Sequence, residues 1–370
     1  MRIAYTALHL EKRYIEGGVG HKIFNQMALW KELGAEVQLF LHTPDALKLP
    51  NVHTFQFKQA GIPNPFCSLF KEVSRSIAVA RMIKAVKSYK PDIIYLRYGL
   101  FTYPLQRLFK IAPVVMELNT NDVVEYALKS RFHNQLNQIT RRWTLGLSRG
   151  FVYVSQEISN LEHNKIFYKP FRVIPNGILL DHFIPIPAPQ NLRPRLVFVG
   201  SPGMVWHGID KLAYLSSLYP DLQIDIIGYA KEDSGFPNSS KITGHGFLSQ
   251  ESVREVLIKA DAACGTLALH RKEMEEASPL KVREALAYGI PVILGYQDTA
   301  LKDLNCDFIL NIPNTEANVK ENAQKMYSFI KDMMGKRVDY QLVRPRIDMR
   351  DLETERIRFF EEVLSSKDQP

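Results

Sequence analysis

The chain has 370 residues, 46% of them hydrophobic and 23% charged, which is ordinary globular composition and enough length for two domains with separate cores. No run of about 18 consecutive apolar residues occurs, so no transmembrane helix is expected. The apolar start MRIAYTALHL is closed at once by Glu11-Lys12-Arg13 and reads as a buried first strand rather than a signal peptide. The net charge is +8 and unevenly spread: residues 1–185 hold 24 Lys and Arg against 13 Asp and Glu, and residues 186–370 hold 23 against 26.

The basic excess of the first half concentrates around Lys71, Arg75, Arg81, Lys84, Lys87 and Lys90, and around Arg141, Arg142 and Arg149. Such asymmetry points to an anionic partner, either a membrane surface or nucleic acid, with a merely solvated basic face as the plain alternative. No RNP, zinc-finger or helix-turn-helix signature is present, which disfavours nucleic acid. Cys67, Cys264 and Cys306 are widely spaced and odd in number. They fit neither a disulfide framework nor a metal site, and read as small buried apolar residues in a reducing, cytoplasmic setting.

In chain order, short β-branched or aromatic runs alternate with helical stretches. The first half gives strands at 2–8, 36–42, 53–57, 93–98, 114–118 and 151–155; the second gives them at 196–200, 223–228, 263–267, 291–296 and 308–312. Between the first two runs, Ile23, Met27, Trp30 and Leu33 recur near helical spacing and Gly34 stops them. Five prolines between Pro175 and Pro194 mark a linker, after which the alternation restarts. The pattern predicts an α/β chain of two Rossmann-like doubly wound domains, 1–178 and 179–345. A C-terminal helix over 346–370, carrying Leu352, Ile357, Phe360 and Leu364, is expected to pack back on the first domain.

Two constellations carry chemistry. Glu16-Gly17-Gly18-Val19-Gly20 lies between the first strand and the first helix, where glycines let backbone N–H groups approach an anion. It is neither GxGxxG nor a nucleotide-triphosphate loop, and a simple tight turn is the alternative. The second is EASPLKVREALAYGIPVI, residues 276–293. Ser278 is a good N-cap and Pro279 a good first helical residue, and Glu284 falls five residues on, about 7.5 Å along the axis. Glu276 precedes the helix. Two carboxylates thus bracket a helix N-terminus. The arrangement suits a ligand with a diphosphate in the middle and hydroxyl-rich sugars at both ends, the dipole and Lys281 offsetting phosphate charge.

The second constellation resembles the E-x7-E region of family 4 glycosyltransferases, which have GT-B architecture, two Rossmann-like domains facing a central cleft. Three more pieces resemble the same family in the same order: GGVGHKIFNQMALWKELGAEVQLF, FRVIPNGILLDHF, and LVFVGSPGMVWHGIDKLAYL followed by IDIIG. Together they span about residues 1–365. The resemblance implies a retaining, metal-independent transfer of a sugar from a nucleoside diphosphate sugar to an acceptor hydroxyl, with no cofactor. It implies that Glu284 holds the donor ribose, that Glu276 contacts the transferred sugar, and that the amides of Ser278, Leu280 and Lys281 face the diphosphate. Gly17 and Gly18 would approach the distal phosphate from the other domain.

The chain also departs from the family pattern. Ser201 stands where many members have Arg, and His207-Gly208 where they have Lys-Gly; Lys281, and His207 if protonated, are the expected replacements for those cations. Where members place a His after the strand matching VVMEL, this chain has Glu117-Leu118-Asn119-Thr120-Asn121-Asp122, so Glu117, Asn119 or Asp122 is the candidate to orient acceptor or sugar. His21 is a candidate to line the cleft and Trp206 to pack beside the diphosphate. The acceptor expected for a basic first half is a glycolipid or growing surface polysaccharide, met by a peripheral enzyme on the inner face of the membrane. A catalytically silent sugar-nucleotide-binding scaffold is the alternative, and a nucleotide-sugar epimerase a weaker one.

Overall fold

The computed structural model describes residues 1–47, 49–58, 65–184, 186–233 and 235–366, in two compact units: Met1–Pro175 with Met349–Pro370, and Asn176–Asp348. Unit 1 holds β1 (Arg2–Ala7), β2 (Glu36–Thr43), β3 (Val52–Gln56), β4 (Ile93–Arg97), β5 (Val114–Leu118), β6 (Gly150–Tyr153) and β7 (Phe171–Val173). All pair in parallel in the order β3-β2-β1-β4-β5-β6-β7. Parallel neighbours need crossovers, here supplied by α1 (Lys12–Ile15), α2 (Gly18–Glu32), α3 (Pro65–Tyr89), α4 (Asp122–Lys129), α5 (Arg131–Gly146), α6 (Gln156–Asn160) and α7 (Glu162–Lys165). The strand order reverses between β1 and β4, the switch point outside which doubly wound sheets bind ligands.

Unit 2 repeats the plan with β8 (Arg195–Val199), β9 (Gln223–Ile227), β10 (Ile242–Gly244), β11 (Ala262–Cys264), β13 (Val292–Leu294) and β15 (Ile309–Asn311), all parallel in the order β10-β9-β8-β11-β13-β15. A separate two-residue pair joins β12 (Glu276–Ala277) to β14 (Gln297–Asp298). The helices are α8 (Ile209–Leu218), α9 (Gln250–Leu257), α10 (Leu280–Ala287), α11 (Asn318–Asp332) and α12 (Arg344–Ile347). The switch point lies between β8 and β11. Strands β7, β10, β12 and β14 escape the sequence reading because they are two or three residues long and, unlike β11, β13 and β15, do not lie in a longer apolar run.

Close approaches of backbone explain two glycines. A Cβ on Gly20 would overlap the carbonyl of Ile15, so α1 and α2 turn tightly on each other only with glycine there. Gly228, at φ +90, sits against the carbonyl of Gly200, and this contact joins the ends of β8 and β9.

The last helix, α13 (Met349–Ser365), belongs to unit 1, where Phe359 and Phe360 are fully buried in one core with Trp30, Tyr5 and Tyr95. Each such ring contributes on the order of 2 kcal/mol through burial. The polar groups in this core are satisfied. Glu353 accepts from Trp30 Nε1 at 2.8 Å, from Gln26 Nε2 at 3.1 Å and from Arg356 Nε at 2.8 Å, while Arg356 donates to the Tyr95 hydroxyl at 2.6 Å. Among the described residues no helix is long and apolar enough to cross a membrane.

Candidate functional site

In unit 2 the switch point is lined by the turn after β8, the segment after β11 and the start of α10. Pro279 is extended (φ −78, ψ 134) and is the N-cap, so α10 begins at Leu280, and the expectation of a Ser278 cap is corrected. The Ser278 hydroxyl is used otherwise. It accepts from the Asn176 amide at 2.8 Å and from Arg283 Nη2 at 3.0 Å, while the Ser278 carbonyl accepts from Asn176 Nδ2 at 2.6 Å. Arg283 also donates to the Asn176 carbonyl at 3.1 Å and forms a bidentate pair with Asp298, its Nη2 2.6 Å from Oδ1. The loop entering α10 is therefore clamped to Asn176 and to β14. Neither Arg283 nor Asp298 was singled out by the sequence reading; Asn176 was legible only as part of the interdomain motif.

The amides opening α10, at Leu280 and Lys281, are those a helix leaves without an intrahelical carbonyl. Glu284 follows one turn later. Burial raises its carboxyl to about 7, and it has no hydrogen-bond partner among the described residues. Glu276 is buried in β12 with Lys302 Nζ 3.4 Å from its Oε1. Lys281 turns its ammonium into the unit, 4.0 Å from the centre of the Phe198 ring and without a hydrogen-bond acceptor; burial lowers it to about 7, with the Cys264 thiol nearby. Lys281, Glu284 and Cys264 line one narrow cleft with Val197 and Val199 of β8.

His207 corrects a second expectation. It is buried, its Nδ1 is 2.8 Å from the Tyr229 hydroxyl, and burial, then Lys281 and Lys272, push it well below the ordinary imidazole value. A neutral imidazole replaces no cation. The cations near the end of β8 are Lys281, when protonated, and Lys272, whose Nζ lies 4.3 Å over the ring of the half-buried Trp206. Cys264 is buried and its thiol is pushed up to about 12 by that burial, as suits a small apolar residue; Cys306 is half-buried and likewise raised. The side chain of Cys67 lies outside the described residues.

Gly17, Gly18 and Asn119 belong to unit 1. Gly17 is the N-cap of α2 and Gly18 its first residue, both half-buried beside the β1–β4 switch point. One turn on, Lys22 Nζ donates to Glu117 Oε1 at 2.7 Å and to Asn119 Oδ1 at 3.3 Å, and Asn119 Nδ2 donates to Glu117 Oε2 at 3.0 Å. Arg97 reaches Glu117 Oε2 at 3.1 Å. Burial opposes ionisation of Glu117, yet Lys22, Arg97 and Arg356 hold its carboxyl well below the usual range, while burial takes Lys22 down to about 8.

These pairings correct the wider acceptor expectation. Glu117 is enclosed by cations, and Asp122 is buried in a fork with Arg141 at 2.7 and 3.0 Å and accepts from Asn137 at 2.9 Å. Both are committed to holding unit 1 together. Of the three candidates only Asn119 is half-exposed; His21 is half-buried on α2. Among the described residues no group of three or more His, Cys, Asp and Glu is placed to hold a metal ion.

Residues 16–182 match the family model described as Glycosyltransferase Family 4. No curated protein matches the chain. Solved structures do match. Sucrose-phosphate synthase from Thermosynechococcus elongatus superposes over 99% of this chain and 100% of its own, with TM-score 0.70 and 16% identity. The lipopolysaccharide outer core galactosyltransferase WaaB, in its apo form, covers 98% and 100% with TM-score 0.62 and 13% identity. Anabaena HepE, in complex with UDP and glucose, covers 98% and 100% with TM-score 0.59 and 13% identity. The chain therefore has the GT-B fold of these glycosyltransferases, and its residues 16–182 are similar to glycosyltransferase family 4.

Proposed function

We propose that this chain transfers a sugar from a nucleoside diphosphate sugar to an acceptor hydroxyl, with retention of configuration and without a metal ion. The observation that carries the reading is in unit 2. At the switch point, a helix N-terminus stands between Glu276 and Glu284, with Lys281 and Lys272 near the end of β8. Anions are stabilised at a helix N-terminus, and sugar hydroxyls donate to carboxylates. HepE, which shares the fold, is seen with UDP and glucose, which supports a nucleotide-sugar donor.

Departure of the diphosphate is the step that needs electrostatic help. Preorganised amides of Leu280 and Lys281 with the Lys281 ammonium would stabilise the developing charge. Glu284 would accept from the ribose hydroxyls and Glu276 from the transferred sugar. The acceptor hydroxyl enters on the face the diphosphate leaves and its proton passes to the departing phosphate, so no side-chain base is required. Within unit 1, Gly17 and Gly18 at the start of α2 would offer backbone amides to an anion, and Asn119 would contact the acceptor. For the acceptor, a glycolipid or growing surface polysaccharide suits the basic first half.

The test is a thermal-shift screen of UDP-, GDP-, ADP- and dTDP-sugars on the chain and on Glu284→Ala. A donor at 100-fold over Kd stabilises by roughly 2.7 kcal/mol. One nucleotide series should shift the native chain and not the variant, and the product anomer should match the donor's. An inverted anomer overturns the mechanism. Because His207 is neutral and Ser201 uncharged, a donor-binding scaffold without turnover is the second reading; donor binding with no hydrolysis or transfer on any acceptor would favour it.

A further inference from the structure

The exposed face of α5 is unlike the rest of the basic first half. Phe132, Ile139 and Trp143 are 59%, 77% and 47% exposed, and Leu147, just past the helix end, is also exposed. With the half-buried Leu136 they recur at intervals of three and four residues, so at 100° per residue they form one stripe within roughly 80° of arc. Beside the stripe stand Arg131, Gln135, Gln138 and Arg142, all exposed. The opposite face of the helix is accounted for: Asn137, Arg141, Thr144 and Leu145 are buried.

Charge decides what covers this face. Between Glu125 and Glu157 the chain has no acidic residue, while Arg131, Arg142 and Arg149 are exposed; Lys129, also exposed, pairs with Glu125 at 2.8 Å. At the start of α5, Lys71 and Arg75 of α3 help lower His133 while Glu72 of α3, paired with Arg75 at 2.6 Å, raises it, so α3 brings a net positive charge to the same end. Trp143 is braced on Phe101, ring centres 5.3 Å apart, which holds the indole on the surface at little entropic cost. An apolar stripe with an aromatic anchor, on a helix that carries arginines and no acidic residue, is the composition that lies in the interfacial plane of an anionic bilayer. A face meant for bulk water would not carry four large apolar side chains in register.

We infer that α5 docks unit 1 onto an anionic lipid surface, with Phe132, Ile139, Trp143 and Leu147 inserted at the headgroup boundary and Arg131, Arg142 and Arg149 on lipid phosphates. The inference deepens the glycolipid-acceptor reading, but its test uses neither donor nor acceptor and stands or falls apart from it. Vesicles of phosphatidylcholine alone and with one-third phosphatidylglycerol are floated with the native chain, with Ile139→Glu/Trp143→Ala and with Arg131→Glu/Arg142→Glu. The native chain should float with the anionic vesicles at least tenfold more than with the neutral ones, and less at 0.5 M than at 0.1 M salt. Each double variant should lose most of that binding while keeping the native circular dichroism and melting temperature.

Equal flotation with both vesicle types, or unchanged flotation of both variants, overturns the proposal. So does a native chain that ignores vesicles but shifts a random oligonucleotide, or one that elutes as a dimer broken by Ile139→Glu/Trp143→Ala. Loss of flotation with intact donor binding would separate this surface from the donor site.

Discussion

Arg283 and Asp298 form a fully enclosed bidentate pair, with Nη2 of the arginine 2.6 Å from Oδ1 of the aspartate and neither side chain in contact with solvent. The pair links α10 to β14, and through Ser278 and the Asn176 carbonyl it also fixes the loop that leads into α10. The helix N-terminus assigned to the diphosphate thus owes its position to residues that need not touch the ligand.

Removing one partner leaves a buried charge unpaired, which costs about 3–5 kcal/mol, whereas replacing both with apolar residues of similar volume costs far less. Arg283→Met should therefore lower the unfolding free energy measured in urea by that order. Arg283→Met/Asp298→Leu should recover much of the stability but not the donor-induced thermal shift, because Ser278 and Asn176 stay bonded to each other but lose the guanidinium that ties them to α10. Equal instability of single and double variants would show that the pair is not the reason.

Glu353 plays the matching role in unit 1, accepting from Trp30, Gln26 and Arg356. Glu353→Ala leaves the indole N–H and the guanidinium of Arg356 without that acceptor and should cost about 3 kcal/mol. Since the lost contacts are those that seat α13 on α2, limited proteolysis should cut the variant within 349–365 before it cuts the native chain. A native cleavage pattern would count against this account.

Most of the parallel strands were legible because buried runs such as IIYLR and VVMEL are short, apolar and set between helical stretches, and α10 was legible from its proline and terminal glycine. The roles of charged residues were not. Glu117 and Asp122 look like site residues because they lie at and just beyond the end of a strand, but their partners Lys22, Arg97 and Arg141 come from other elements. Asp298 is likewise 15 residues from Arg283, and Glu353 is 323 from Trp30. No local period encodes such pairings. The neutrality of His207 is of the same kind, since it follows from the tertiary burial that packs Phe198 and Tyr229 around it.

Glu284 links stability to pH. Burial raises its folded-state value to about 7, above the ordinary 4.5, so the folded state holds a proton that the unfolded chain releases. Its contribution is full below pH 4.5 and is lost as pH rises through 7, at most about 1.4 kcal/mol per pH unit. Glu284→Gln has no such proton. The stability of the native chain relative to Glu284→Gln should fall between pH 4.5 and 7 and level off above; a flat difference would mean that the carboxyl is not desolvated.

Lys281 and Glu284 together should give donor affinity a bell-shaped dependence on pH. Burial lowers the Lys281 ammonium to about 7, and a bound diphosphate favours the charged form, so binding takes up a proton and weakens as pH rises above 7. Glu284 acts in the opposite sense, because ribose hydroxyls donate best to the ionised carboxylate and its proton is lost only as pH rises toward 7. Calorimetric titration of the donor found in the thermal-shift screen should therefore show tightest binding near pH 7, with affinity falling by up to tenfold per unit well outside it. Lys281→Met should weaken binding and flatten the alkaline limb alone, and Glu284→Gln should flatten the acid limb alone. If Lys281→Met leaves the alkaline limb unchanged, its ammonium does not meet the phosphates, and the charge must come from Lys272, which lies over Trp206.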